Sequence, residues 1–442
     1  MRILQVVHRF PPLSKGGTEV QAYEIAKKLK TKYLVFVLYP LYDSNGKGYT
    51  LRKTDYEGLP VIQLIKKWPS SLESINYLVD VWLTYRDKRI KKVFESLLDQ
   101  LKPDIIHFQH LFNLSVELVR SAKKKGIPTV LTLHDYWFLC HRIHLLKNDG
   151  SICRGPEKGE APCFRCYFDV LWESLKGRWR PFRHGLLKVP LEKGLEWCFL
   201  SLFRHRIQST LDALKLIDVI VSPSRFLKEK FEDYGVEENR ILHVTHGINP
   251  SLFTGLKKSK SNNIRFGYAG AIVPHKGVHI LLDAYCRVQN SKTELKIFGD
   301  YQSDISYYQS LKRDFGHCNV QFMGQYNDVR VPFCQIDLLI VPSICYETGP
   351  LVVQEAFMAK VPVIASRIGT MPEVVLDGKN GFLFRPNDRQ ELATKLKAVI
   401  EEPGLLRSFV KNIRPVKTID EQVAEIEEIY LKIFRNGFSK GR

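Results

Sequence analysis

One pattern governs what this chain can fold into: short β-branched apolar runs alternate with helical spacing, stop at a polar break, and start again. Ile3-Leu4-Gln5-Val6-Val7 reads as a strand, Ser14-Lys15-Gly16-Gly17 as a turn, and Glu19 to Lys30 carries Val20, Tyr23, Ile25, Ala26 and Leu29 at close to helical spacing. Further strands are expected at Tyr33 to Leu38, Ile105 to Phe108, Thr129 to Leu133 and Val219 to Val221. Continuous apolar runs suit parallel strands buried on both faces, and the strand-helix-strand order implies an open doubly wound sheet. Gly255 to Asn263 has linker composition, and strands resume at Ile264 to Tyr268, Leu295 to Phe298, Val320 to Phe322, Leu338 to Val341 and Val361 to Ala365. The expected fold is therefore α/β, with two Rossmann-like doubly wound domains, 1–254 and 264–410, facing a central cleft. Residues 140–216, rich in Cys, Arg, Lys and aromatics, form an insert in the first domain. Ile419 to Phe434, within 411–442, reads as an amphipathic helix.

Composition narrows the function. The chain has 442 residues, and 66 Lys and Arg against 47 Asp and Glu give +19, which favours nucleic acid, nucleotide phosphates or an anionic membrane surface as partners. The basic residues are spread along the chain without helix-turn-helix, RNP or finger spacing, so nucleic acid is not the expected partner. No apolar run is long enough to span a bilayer, and the N-terminus meets polar residues too soon for a signal peptide. The expected compartment is cytoplasmic, with the nine cysteines reduced.

The segment with most chemistry is Cys345-Tyr346-Glu347-Thr348-Gly349-Pro350-Leu351-Val352-Val353-Gln354-Glu355. A strand ends just before it, Glu347 lies on the loop, and a helix is expected from near Gly349-Pro350, since proline suits a first helical turn. The free N–H groups of Leu351 and Val352, with the helix dipole, make an anion site. Glu355 lies further along the helix. Taken alone, the same residues also fit an acidic helix start followed by a surface glutamate.

The surrounding motifs decide between these readings. Phe10-Pro11-Pro12 with Gly16-Gly17-Thr18-Glu19, Ser222-Pro223-Ser224, His246-Gly247-Ile248-Asn249, Pro274-His275-Lys276-Gly277, Glu347-x7-Glu355, Gly369-Thr370-Met371-Pro372-Glu373 and Asn380-Gly381-Phe382-Leu383 follow in order. In this the chain resembles the retaining glycosyltransferases of family 4 (group 1), which have the GT-B fold. The resemblance implies transfer of a sugar from a nucleotide-diphosphate sugar to a lipid-linked or saccharide acceptor, in cell-surface polysaccharide or glycolipid synthesis. It implies that Lys276 binds the diphosphate as a mobile point charge, helped by the helix start at Gly349, Leu351 and Val352. Glu355 resembles the ribose-binding carboxylate and Glu347 the glutamate at the donor sugar. Gly16 and Gly17 permit close backbone approach to phosphate or sugar. His134 resembles the active-site histidine, with Asp135 as the expected orienting partner. The C-terminal helix is expected to cross back onto the first domain. One position departs from the pattern: Ala271 stands where the family commonly has a phosphate-binding arginine, for which His275 or Arg367 are the available substitutes. No Asp-x-Asp motif is placed for a divalent ion, so no catalytic metal is expected. An epimerase or phosphorylase on the same fold is the alternative, though no pyridoxal-lysine motif is evident.

Two features lie outside this scheme. Cys140, Cys153, Cys163 and Cys166 are spaced C-x12-C-x9-C-x2-C, which suits a closed tetrahedral zinc site; an iron–sulfur cluster also takes four cysteines, and His141 and His144 are spare ligands. The remaining cysteines read as small core residues. From Tyr167 to Arg206, Trp172, Trp179, Phe182, Trp197, Phe199 and Phe203 interleave with Lys176, Arg178, Arg180, Arg183, Lys188, Arg204 and Arg206. Such a stretch suits amphipathic helices lying on an anionic membrane surface, or helices packed on the first domain with solvated cations.

Overall fold

The computed structural model describes residues 1–14, 16–43, 48–67, 83, 85–156, 163, 166 and 191–438. The aromatic and basic stretch, read as lying on a membrane surface or packed on the first domain, lies mostly outside these residues; of its described members, Phe203 and Arg206 are buried rather than presented to a membrane or to solvent. No helix among those described is long and apolar enough to cross a bilayer.

The chain divides into two compact units. The first holds Met1–Pro223, Lys228–Val244 and the last helix from Val423 on; the second holds Ser224–Leu227 and Thr245–Gln422. The expected linker is not a loose tether. Ser259 donates its N–H to the Cys334 carbonyl at 2.9 Å, and the Lys258 ammonium reaches the Ile336 carbonyl at 3.0 Å. Polar side chains without a core to enter thus bond along the edge of the second unit.

Eight described strands build the first sheet: β1 Arg2–Val6, β2 Leu34–Asp43, β3 Thr50–Tyr56, β4 Leu59–Lys67, β5 Ile105–Phe108, β6 Thr129–Thr132, β7 Val219–Ser222 and β8 Ile241–His243. Their order is β3-β4-β2-β1-β5-β6-β7-β8. All neighbours are parallel except β3 and β4, an antiparallel hairpin that the apolar-run reading did not foresee. β3 is mostly polar and exposed, so it carries no apolar run. Its turn is nonetheless encoded locally: Glu57 and Gly58 both take positive φ, as a two-residue type I′ hairpin requires, and the Gly58 N–H is held by the Asp55 carboxylate at 2.7 Å.

The second sheet contains β9 Ile264–Ala269, β10 Thr293–Phe298, β11 Val320–Gly324, β12 Leu338–Val341, β13 Val363–Ser366 and β14 Gly381–Phe384. It is parallel throughout, in the order β11-β10-β9-β12-β13-β14. Alternation along β12 shows why the run is continuously apolar: Leu338 and Ile340 enter one core, Leu339 and Val341 the other. Cys286 and Cys318, expected as separate reduced thiols, form a disulfide; their Cα atoms are 5.7 Å apart, within bridging reach.

Strand order fixes where a ligand can sit. In each sheet the order reverses between two neighbours, β1 and β5 in the first, β9 and β12 in the second, and the loops beyond their carboxyl ends diverge to open a crevice. Gly277, after β9, has φ +71°, and a Cβ there would collide with the Pro342 carbonyl after β12. Gly378 has a matching φ of +73° in open space. Gly378→Ala is expected to cost about 1 kcal/mol of left-handed strain in urea denaturation, and Gly277→Ala clearly more, because backbone must also move.

Candidate active site

In the second unit the two loops at the order reversal are tied together. The Ile344 N–H donates to the His275 carbonyl at 3.0 Å. Lys276, on the β9 loop, meets Glu347, on the β12 loop, with Nζ 2.7 Å from Oε1; Ser343 Oγ donates to the same oxygen at 2.6 Å. Burial pushes the Glu347 carboxyl up, but the Lys276 charge and the hydrogen bonds from Lys276 and Ser343 hold it below its ordinary value. Burial likewise lowers Lys276, and Glu347 more than restores it. Both groups therefore stay charged.

The rest of the loop is braced by residues that the sequence offered only as motif fragments. Thr370 donates its N–H and its hydroxyl to the Glu347 carbonyl at 3.1 and 2.8 Å, and Ser224 Oγ donates to the Thr348 carbonyl at 2.7 Å. The Glu373 carboxylate takes the N–H groups of Arg225 and Phe226 at 3.0 and 2.7 Å. At the His246-Gly247 turn the Gly247 N–H donates to Gln422 Oε1 at 2.7 Å, and Ile248 pairs with Thr418, ahead of the last helix.

Beyond Glu347 the helix Leu351–Met358 begins one residue later than expected, with Pro350 as its N-cap and no side chain capping it. Gly349 precedes this cap, and the first-turn N–H groups of Leu351 and Val352 have no partner within the helix. Glu355 lies one turn in. Its carboxylate has no hydrogen bond or ion pair among the described residues, and burial alone pushes it up to about 7. Of the two substitutes for the missing arginine, His275 is close enough to Glu347 to help hold its carboxyl down, whereas Arg367 is spent on Asp377 at 2.5 Å.

The first unit gathers a second polar cluster beyond β1, β5 and β6. His134 does not use Asp135. Its Nε2 hydrogen-bonds Gln109 Oε1 at 3.0 Å, and Asp135 instead takes His110 Nε2 at 2.9 Å. His110 Nδ1 accepts the Phe112 N–H at 2.9 Å, which leaves Nε2 to donate. The reason is positional: β5 and β6 are neighbours, so a residue just past the end of one strand meets a residue just past the end of the other. Burial pushes Asp135 up, but His110 and the Trp137 N–H draw it below its usual range. The His8 ring lies 4.4 Å from that of His110, and burial lowers it to about 2. Gly16 is the N-cap of the helix Gly17–Leu29, where a Cβ would press on the Glu19 carboxylate at 2.5 Å. Glu19, bonded to Ser14 Oγ at 2.8 Å, thus folds back over this helix start beside Gly17.

Sequence reasoning missed His8, Gln109, His110 and Ser343. Each lies within about two residues of the end of a strand at the order reversal, and that position was the available signal. The four cysteines of the insert lie beyond Asp135, partly buried and unbridged.

Two family models match this arrangement: "Glycosyltransferase Family 4" over residues 15–154 and "Glycosyl transferases group 1" over residues 263–402. The chain belongs to the group 1 glycosyltransferases. An uncharacterized glycosyltransferase of Methanocaldococcus jannaschii is 22% identical over 418 residues, spanning 93% of this chain and 92% of the relative. The lipopolysaccharide 1,2-N-acetylglucosaminetransferase of Salmonella typhimurium is 29% identical over 187 residues, 37% of this chain and 48% of the relative. Among solved structures, Anabaena HepE in complex with UDP and glucose superimposes with a TM-score of 0.65 at 18% identity, over 97% of this chain and 98% of that one. The fold of this glycosyltransferase is GT-B.

Its unpartnered Glu355 has a stability consequence. The folded state holds this carboxyl's proton up to about pH 7, the unfolded chain only to about 4.5, so stability is lost as pH rises through that window. Glu355→Gln is expected to raise the melting temperature above pH 7 and leave it unchanged below pH 4.5 by calorimetry.

Proposed function

We propose that this glycosyltransferase is retaining. It takes its sugar from a nucleotide-diphosphate sugar and places it on a saccharide or lipid-linked acceptor of a surface polysaccharide or glycolipid. The observation that carries the reading is the Lys276–Glu347 pair set beside an uncapped helix start, with Glu355 unpartnered one turn behind. The Salmonella relative's acceptor class and the UDP and glucose held by the Anabaena fold neighbour support it.

Each residue has a task in such a reaction. The bond from the sugar C1 to the diphosphate oxygen breaks, and its electron pair leaves on the diphosphate. Lys276 and the N–H groups of Leu351 and Val352 receive that growing charge. Glu347, kept ionised, grips sugar hydroxyls, and Glu355 accepts from the two ribose hydroxyls. The acceptor oxygen bonds C1 on the face the diphosphate leaves, and its proton passes to a departing phosphate oxygen. His134 and the His110–Asp135 pair hydrogen-bond the acceptor.

Glu347→Gln and Lys276→Ala are each expected to lower kcat about 10²- to 10³-fold with the fold intact. Wild-type turnover in both would remove the assignment, and the anomeric configuration of the product by NMR decides retention. A thermal-shift screen of UDP-, GDP- and ADP-sugars identifies the donor, since ligand at about 100 times its Kd adds about 2.7 kcal/mol.

Ribose hydroxyls favour the ionised form of Glu355, so donor binding is expected to release a proton below about pH 7. Affinity then climbs as pH approaches that value and levels off above it. Calorimetry in buffers of different ionisation enthalpy reads the release, which Glu355→Gln should abolish. His110→Ala is expected to raise KM for the acceptor while leaving donor affinity unchanged.

A further inference from the structure

The four cysteines of the insert are brought to one place by a small hairpin. Leu146 bridges Ile152, and the Cys153 N–H donates to the Leu145 carbonyl at 2.8 Å, which sets Cys153 against the turn that starts at Cys140. That turn is held in an unfavourable shape: Ile143 and Leu145 both take left-handed φ, at 60° and 49°, which a β-branched or bulky residue rarely adopts. The same shape lets the N–H groups of Arg142 and Leu145 donate to the Cys140 sulfur. The Gly155 N–H donates to Cys153 Sγ at 3.4 Å. Two of the four sulfurs are thus cradled by backbone amides, as suits a sulfur carrying negative charge.

Cys163 and Cys166 are both helical and three residues apart, which puts them on one helical face. The hairpin grips this second pair: Arg142 Nη1 lies 3.4 Å from Cys166 Sγ, and Asn148 Nδ2 donates to the Cys166 carbonyl at 3.0 Å. The sulfurs of Cys140, Cys153 and Cys166 all lie close enough to that of Cys163 to act on it electrostatically. All four are therefore neighbours. Among the described residues, though, no three of them lie within 4.8 Å of one another; the group that does is Cys286, His317 and Cys318, two of which are spent in the disulfide.

We infer that Cys140, Cys153, Cys163 and Cys166 bind one structural zinc ion, closing on it by side-chain rotation. Four sulfurs about 2.3 Å from a zinc stand about 3.8 Å apart, a short step from neighbouring positions. Binding converts four thiols to thiolates and releases four protons, leaving a site of charge −2. Arg142 at Cys166, and Arg206, whose charge acts on Cys140 and Cys163, balance that charge. The ion's task follows from the chain path. Asp135 accepts the Trp137 N–H at 2.8 Å, and the Trp137 and Phe138 carbonyls are held by Arg206 and Thr210 at 2.6 and 2.7 Å. Zinc at Cys140 anchors the far end of the segment that presents Asp135 to His110.

The test is metal content of the full chain after gel filtration through metal-free buffer, with zinc and iron counted by mass spectrometry and native thiol reactivity measured in parallel. About one zinc per chain is expected, freed by an organomercurial together with protected thiols. Chain grown in cobalt should show the charge-transfer and intense d–d bands of a tetrahedral thiolate site. Cys163→Ser/Cys166→Ser should lose the metal, and Cys286→Ser should keep it. Less than about a tenth of a zinc per chain with all four thiols open to reagent overturns the inference. So does zinc that follows Cys286 or His317, or iron with acid-labile sulfide. Should the double variant fail to fold, the wild-type count and mercurial release decide alone.

Discussion

An ammonium and a carboxylate 2.7 Å apart, both half-buried, impose more on the second unit than any other contact. Removing either partner would leave the other as an uncompensated, partly desolvated charge. The structure therefore fixes both ends. Lys276 sits in a 3-10 turn ended by a left-handed glycine, and Glu347 on a loop whose carbonyls are claimed by Thr370 and Ser224. Gly369 has to be a glycine for the same reason: its φ is +58°, and a Cβ would lie 2.6 Å from the Glu347 carbonyl oxygen. Three separated segments, at Ser224, Lys276–Gly277 and Gly369–Thr370, thus converge on one loop, which gathers short fragments scattered from Ser224 to Thr370 into a single packed unit.

How much of this is legible beforehand depends on whether the cause is local. Ile105 to Phe108 and Leu338 to Val341 are readable as strands because both faces are buried, so every residue is apolar. β3 is not, since one side of a polar edge strand faces water, and β8 is too short at three residues to form a pattern. Although the contact between Lys276 and Glu347 needs β9 and β12 to be neighbours, the positions of Lys276, Glu347 and Glu355 are legible, because each lies in a motif contiguous with its own strand or helix. The His110–Asp135 pair is not, because it depends on β5 and β6 being neighbours, a fact of topology rather than of spacing. The Cys286–Cys318 bridge was missed for the same reason: separation along the chain says nothing of a Cα distance of 5.7 Å.

The histidines of the first unit divide by depth. His107 is fully enclosed, with Nδ1 at 2.6 Å from the Tyr430 hydroxyl and Nε2 at 2.7 Å from Thr132 Oγ1, and burial lowers it to about 3. Gln109 relays this anchor outward, its Nε2 3.3 Å from His107 and its Oε1 holding His134. A ring at the rim is thus oriented by a neutral ring in the core, and the last helix supplies the hydroxyl at the far end of the chain of bonds.

The hairpin that patterning overlooked has a consequence for handling the molecule. Without β3, the strand at that border of the sheet would be β4, Leu-Pro-Val-Ile-Gln-Leu-Ile-Lys-Lys, an apolar ribbon whose unpaired N–H and C=O groups would be a template for another chain. β3 covers it with Thr50-Leu51-Arg52-Lys53-Thr54-Asp55-Tyr56, whose Arg52, Lys53 and Asp55 face solvent. The opposite border ends in the three residues of β8, too few to recruit a partner strand. Both margins are thus guarded against edge-to-edge aggregation, one by charge and one by brevity.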